Sequence, residues 1–241
     1  MTELVLRHDD GGTCTLTLNR PEKRNAVNRE LFRALRSHIT AIEQDAEVGV
    51  VVLRGAGGHF CAGHDLSEPG HADAFGWLRK EMQTLERFTA MRPIVIAAIE
   101  GTCFTGGLEM ALSADFIICD DTARFADTHG KWGLVPGWGM SQRLPRRVGS
   151  ARAIEMMTTC RPYTGRQAEA FGLANLCVEP GKLDEAIADY AGAILAISRH
   201  SNAENKRLVY DTDGMRLADG LDHELMRNAG FDTSRPYKRK A

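Results

Sequence analysis

A chain of 241 residues with 30 Lys+Arg against 32 Asp+Glu has a formal charge of −2, which argues against a surface built to coat a polyanion. With 43% hydrophobic residues the length suits one large domain, and area scaling hides roughly 70% of the extended chain's surface without a disulfide or metal staple. Disorder, a disulfide scaffold and a generic nucleic-acid binder are disfavoured together.

Leu4–Leu6 and Thr13–Leu18 read as strands, with Asp10-Gly11-Gly12 as the hairpin turn between them. Asn28 is placed to cap a helix in which Leu31, Leu35, Ile39 and Ile42 recur at helical spacing. Val48–Leu53 is a β-branched strand ending in the loop Arg54-Gly55-Ala56-Gly57-Gly58, which needs unusual backbone angles. A helix is predicted from about Ala72 to Met91, then a buried strand over Pro93–Ile99 that Glu100-Gly101 ends. Gly106-Gly107 opens a helix through Ala114, and Phe116–Cys119 is a strand. Further on, the pattern predicts helix over Ser150–Thr159, strand over Leu176–Val178 and helix over Leu183–Ile197, with a mainly helical last third. Strand and helix alternate with no repeat or linker, so the class is α/β in one domain.

Six cysteines, Cys14, Cys61, Cys103, Cys119, Cys160 and Cys177, form no C-x-x-C pair and read as reduced core residues. The start Met1-Thr2-Glu3-Leu4 has no signal-peptide pattern, and the apolar runs are too short to span a bilayer. The expected address is the cytoplasm, with no membrane and no nucleic-acid partner.

Several motifs are absent or misleading. There is no phosphate loop, and no nucleophile elbow, since Gly139 and Ser141 are followed by Arg143. Gly55-Ala56-Gly57-Gly58-His59-Phe60 follows a strand and starts as a dinucleotide fingerprint would, but a ring stands where the third glycine is required. His59, His64, Asp65 and His71 lie close together in a glycine loop without zinc-ligand spacing, so no metal is expected.

Two glycine-bearing loops follow buried strands: His59-Phe60-Cys61-Ala62-Gly63-His64-Asp65-Leu66 and Gly101-Thr102-Cys103-Phe104-Thr105-Gly106-Gly107-Leu108-Glu109. With the entry segment Asn19–Asn28 and with Gly133-Leu134-Val135-Pro136-Gly137-Trp138-Gly139, they are similar to the ordered signatures of the enoyl-CoA hydratase/isomerase (crotonase) superfamily, from about residue 4 to 228. That resemblance implies a crotonase (ClpP-like) spiral of β-β-α turns over 1–199, with a helical trimerisation region and short tail over 200–241 of the same domain. It implies a homotrimer or a dimer of trimers.

The activity so implied is enoyl-CoA hydratase, adding water to a trans-2-enoyl-CoA with CoA as part of the substrate and no tightly bound cofactor. Open alternatives are another acyl-CoA reaction on the same scaffold (isomerisation, decarboxylation or hydrolysis) and a non-catalytic acyl-CoA binder. The resemblance assigns the N–H groups of His64 and Gly106 to an oxyanion hole, where losing one donor costs ~3 kcal/mol. Glu109 falls one helical turn after Gly106, on the same face, at a position the family uses as an acid/base group. The family's second catalytic glutamate is replaced here by His129, within Phe125-Ala126-Asp127-Thr128-His129. An imidazole can serve as either acid or base near neutral pH. Positions matching the family's CoA contacts are Arg24, Ala26, Ala62, Asp65 and Leu66, and Asp65 could equally cap the following turn. Trp138 could wall the acyl pocket or join the core, whereas Trp132 is expected in the core. The final segment, interrupted by Pro236 and carrying Lys238 and Lys240, reads as a tail in place of the family's basic last helix.

Overall fold

The computed structural model describes residues 3–68, 74–230 and 232. It begins with the hairpin β1 (Val5–Asp10) and β2 (Thr13–Leu18), paired Asp10↔Thr13 across a two-residue turn. Gly11 and Gly12 take φ +54° and +91° there, the left-handed pair that such a turn demands. Helix α1 (Arg29–Glu43) follows, its Asn28 side chain accepting the Leu31 N–H. Leu31, Leu35, Ile39 and Ile42 are all buried along one stripe.

The middle of the chain alternates strand and helix: β3 (Val50–Gly55), α2 (Ala74–Ala90), β4 (Ile94–Ile99), β5 (Thr102–Phe104), α3 (Gly106–Ala111), β6 (Phe116–Asp120) and β7 (Arg124–Ala126). A 3-10 turn over His129–Trp132 leads to α4 (Met140–Val148) and α5 (Ser150–Thr159). The chain closes with β8 (Tyr163–Thr164), α6 (Gly165–Ala170), β9 (Leu176–Val178), α7 (Leu183–Ala196), α8 (Arg199–Asp211) and α9 (Leu217–Met226).

Six strands form one sheet in the order β1-β2-β3-β4-β6-β9, parallel from β2 onward, and β5-β7-β8 form a second, smaller sheet. The turns β4-β5-α3 and β6-β7-α4 each send one strand to each sheet, whereas β1 and β2 both stay in the first. Both faces of the central strands are covered, which is why they read as continuous apolar runs. Val51, Leu53, Val95 and Ala97 face the main core with α1, while Val50, Val52, Ile96 and Ile118 pack against Leu183, Ala186 and Ala191 of α7.

Helix α8 is fastened to the sheet by a buried ion pair. Lys206 Nζ lies 2.8 Å from Asp115 Oδ2 and donates to the Pro93 carbonyl at 2.9 Å. Asp115 also accepts from the Val95 N–H (2.7 Å) and the Tyr210 hydroxyl (3.0 Å).

The differences from the sequence reading are local. Helix α3 stops at Ala111, not Ala114, and β3 begins at Val50, not Val48. Strands β5, β7 and β8 are three residues or fewer, too short for any periodicity. Helix α4 holds Pro145 in its interior and has no side-chain cap at Gly139, so its local signals argue against helix. The tail expected around Pro236, Lys238 and Lys240, and His71, lie outside the described residues.

Candidate active site

The loop after β3 is knitted to β5 by main-chain bonds. Cys61 N–H donates to Thr102 O at 2.8 Å, and Phe104 N–H donates to Cys61 O at 3.0 Å. Two and four residues on, Val27 N–H donates to Gly63 O and Asp65 N–H donates to Val27 O, each at 2.8 Å. With residues 63 and 65 turned toward Val27, the alternation of extended backbone directs the His64 N–H to the opposite side.

Glycines let the second loop come close. A Cβ at Gly107 would stand 2.4 Å from Cys61 O, and one at Gly106 would stand 2.5 Å from the Trp138 ring and 3.5 Å from His64 N. Gly106 is also the first residue of α3, so its N–H has no acceptor within its own helix. His64 and Gly106 thus come together from separate segments, and both line a cavity of 640 Å³.

Glu109 and His129 line the same cavity. Glu109 is 1% exposed, and its Oε1 accepts the N–H groups of Trp138 (2.8 Å) and Met140 (3.1 Å) at the start of α4. Its Oε2 faces His129 Nε2 across 3.9 Å, beyond a direct hydrogen bond but suited to one bridging water. Behind the imidazole, His129 Nδ1 lies 2.6 Å from Oδ1 of Asp127, itself 1% exposed. Because a carboxylate only accepts, Nδ1 carries the hydrogen and Nε2 is presented to the cavity. Burial pushes the Glu109 carboxyl above its ordinary range, more than its two amide donors and His129 pull it down. Burial acts to lower His129, but the Asp127 hydrogen bond and the charges of Asp127 and Glu109 outweigh it and raise the imidazole.

Much of the remaining wall is aromatic and aliphatic, with Trp77, Leu78, Phe104, Leu134 and Trp138. Trp138 both lines the cavity and packs, 3% exposed, edge-on to Phe32 (4.9 Å between centroids) and Trp77 (5.6 Å). The His64 ring stands edge-on to Trp77 at 4.7 Å, with its Nε2 3.4 Å from Glu68 Oε2. Trp132 is not in the core: it is 63% exposed at the cavity's rim, on a 3-10 turn none of whose residues is buried.

The enoyl-CoA hydratase/isomerase family model matches residues 8–235. The chain belongs to the enoyl-CoA hydratase/isomerase family. It is 35% identical to a probable enoyl-CoA hydratase of Rhizobium meliloti, over 92% of this chain and 87% of that protein. It is 32% identical to a short-chain-enoyl-CoA hydratase of Clostridium acetobutylicum, covering 87% of this chain and 84% of that one. The crystal structure of an enoyl-CoA hydratase from Bacillus anthracis superposes with a TM-score of 0.89 at 29% identity, over 93% and 89% of the two chains.

For this member of the enoyl-CoA hydratase/isomerase family, the residues matched to CoA contacts divide into two groups. Ala62 and Leu66 line the cavity. Arg24 is exposed at φ +48°, and its carbonyl accepts the Ala62 N–H. Ala26 is buried, and its carbonyl accepts from Arg20. The Asp65 carboxylate is spent inside the loop, on the Ser67 hydroxyl and N–H and on Arg20 Nη2 at 2.9 Å. The Ser67 hydroxyl and then Arg20 hold it well below the usual carboxylate range, against its burial. Its observed work is the turn-capping one.

Sequence reasoning missed Asp127, whose signal was an acid two residues before a histidine. It also missed Arg20, Trp77 and Leu78, which nothing local distinguishes from surface or core positions. Among the described residues no three His, Cys, Asp or Glu side chains converge on a metal-sized site, and no helix is long and apolar enough to cross a membrane.

Proposed function

We propose that this protein is an enoyl-CoA hydratase in which Glu109 and His129 form the acid/base pair and the N–H groups of His64 and Gly106 receive the thioester oxygen. The observation that carries the reading is the 3.9 Å gap between Glu109 Oε2 and His129 Nε2, in the cavity that His64 and Gly106 also line. A water in that gap has an acceptor on one side and a proton donor on the other. Neutral His129 Nε2 takes a proton as the water oxygen bonds to the β-carbon. Protonated Glu109 delivers its proton to the α-carbon, and the enolate charge rests on the two amides meanwhile. Asp127 stabilises the imidazolium so formed, and proton return from Nε2 to Oε2 resets the pair. The two amides on Oε1 leave Oε2 as the oxygen that carries the proton.

The chemistry needs no resident cofactor, since CoA arrives with the substrate. Arg24, Ala26, Ala62 and Leu66 are proposed to border the carrier, and the backbone around Asp65 to support that border. Residues 200–241 are proposed as the trimerisation region of a homotrimer or a dimer of trimers. Exposed Val209, Leu217, Leu221, Leu225 and Met226 on α8 and α9 support this. Six buried, unpaired cysteines support a cytoplasmic address.

Mixing the protein with crotonyl-CoA should remove the conjugated-thioester absorbance and yield a product heavier by one water. Glu109→Gln and His129→Ala should each lower kcat about 10²–10⁴-fold. A product of unchanged mass would mean isomerisation, free CoA would mean hydrolysis, and full turnover by His129→Ala would remove the imidazole from the mechanism.

A further inference from the structure

Thr105 stands between β5 and the first residue of α3 with φ +52° and ψ −112°. That pair lies outside the regions open to L-residues, and a β-branched side chain is least suited to it. Glycine would adopt it freely. The peptide oriented by this strained residue is the one whose N–H belongs to Gly106. Strain and proposed oxyanion donor are therefore adjacent in the chain.

The hydroxyl shows what glycine would give up. A threonine before a helix ordinarily caps it, but Thr105 makes no side-chain cap. Its Oγ1 instead accepts the Thr128 N–H at 3.2 Å and sits 2.5 Å from Thr128 Oγ1. The Thr105 N–H donates to Ala126 O at 2.9 Å, extending the β5–β7 pairing beyond Phe104↔Ala126. Residue 105 is thus tied to 126–128, and the next residue is His129. Both threonines line the cavity.

We propose that the Thr105–Thr128 hydroxyl pair is a positioning clasp, holding the Gly106 amide and the His129 imidazole in one shared geometry at the expense of a strained backbone. This rests on the hydratase reading and extends it, by tying the two halves of the site to one side-chain contact. Neither threonine touches a reacting atom in this scheme. They act through Gly106 and His129.

The test compares Thr105→Gly, Thr105→Ser and Thr128→Val in the full chain with crotonyl-CoA, alongside melting temperature and a side-chain NMR titration of His129. Thr105→Gly should melt at or above the wild-type temperature, yet lose about 10- to 100-fold in kcat. Its KM should stay within about twofold, because ground-state binding is not what the clasp serves. Thr128→Val should lower kcat in the same way. Thr105→Ser should recover most of the rate. The His129 titration should move in Thr105→Gly and Thr128→Val and stay in place in Thr105→Ser. Wild-type kcat with an unmoved titration in Thr105→Gly would overturn the clasp. So would a serine variant as slow as the glycine one, or a lowered melting temperature with unchanged turnover per folded molecule. If the wild type fails to hydrate crotonyl-CoA, the hydratase reading falls, and the NMR titration still decides for or against the clasp.

Discussion

Two buried charge clusters serve opposite ends. At the α8 latch, Asp115 accepts from Val95, Lys206 and Tyr210, and Lys206 also reaches Pro93 O. Each polar atom there has a partner and the charges cancel. At the cavity, Asp127, His129 and Glu109 bring two carboxylates to one imidazole, and Glu109 Oε2 stops 3.9 Å short of His129 Nε2. The latch is an ion pair completed by hydrogen bonds, the arrangement under which buried charge is tolerated. The cavity leaves its charges incompletely paired, so protons must make up the difference. In the proposed reaction Glu109 and His129 exchange them.

Breaking the latch should have the largest effect on stability. Lys206→Met leaves Asp115 buried without its cation and should cost about 3–5 kcal/mol in denaturant unfolding, with kcat per folded molecule unchanged. A loss of turnover in the folded fraction would mean that the two clusters are coupled.

Glu81 sharpens the comparison, because it stands between the two cases. It has a cation, Arg36 at 3.1 Å between α1 and α2, yet burial outweighs Arg36 and raises its pKa from 4.5 to about 7. The folded protein therefore holds this proton to higher pH than the unfolded chain does. Stability should fall as pH rises from 4.5 towards about 7 and level off above it, a total of about 3 kcal/mol. Glu81→Gln should flatten that part of the stability–pH curve. An unchanged slope would mean that Arg36 satisfies the carboxylate as fully as Lys206 satisfies Asp115.

The smallest expected effect is Asp127→Asn. The amide keeps the shape but removes the charge that raises His129. The acid limb of kcat/KM, along which His129 becomes neutral, should move to lower pH, with kcat reduced about tenfold to a hundredfold. A limb that stays in place would assign it to a group other than the imidazole.

Legibility in the sequence tracks how local the cause is. The Asn28 cap, the Leu31–Leu35–Ile39–Ile42 stripe, the Gly11-Gly12 turn and the β9 strand each follow from residues within a turn or two, and the structure holds all of them. The two glycine loops were legible as places where backbones could meet, since only glycine fits at Gly106 and Gly107. Trp132 was misjudged because a large aromatic ring carries no mark of whether another layer will cover it. Asp65 offered two readings, and its neighbours Ser67 and Arg20 decided for the cap.

The sequence by itself determined the α/β class, the helix and strand faces and the residue types placed at the cavity. These depend on side-chain period, backbone freedom and charge, which travel with the residue. Tertiary structure alone decided that β5 and β7 pair, that α4 forms despite Pro145, that Asp127 braces His129, and that Thr105 meets Thr128. In each case the partner comes from another loop or another layer, and only packing brings it within hydrogen-bonding distance.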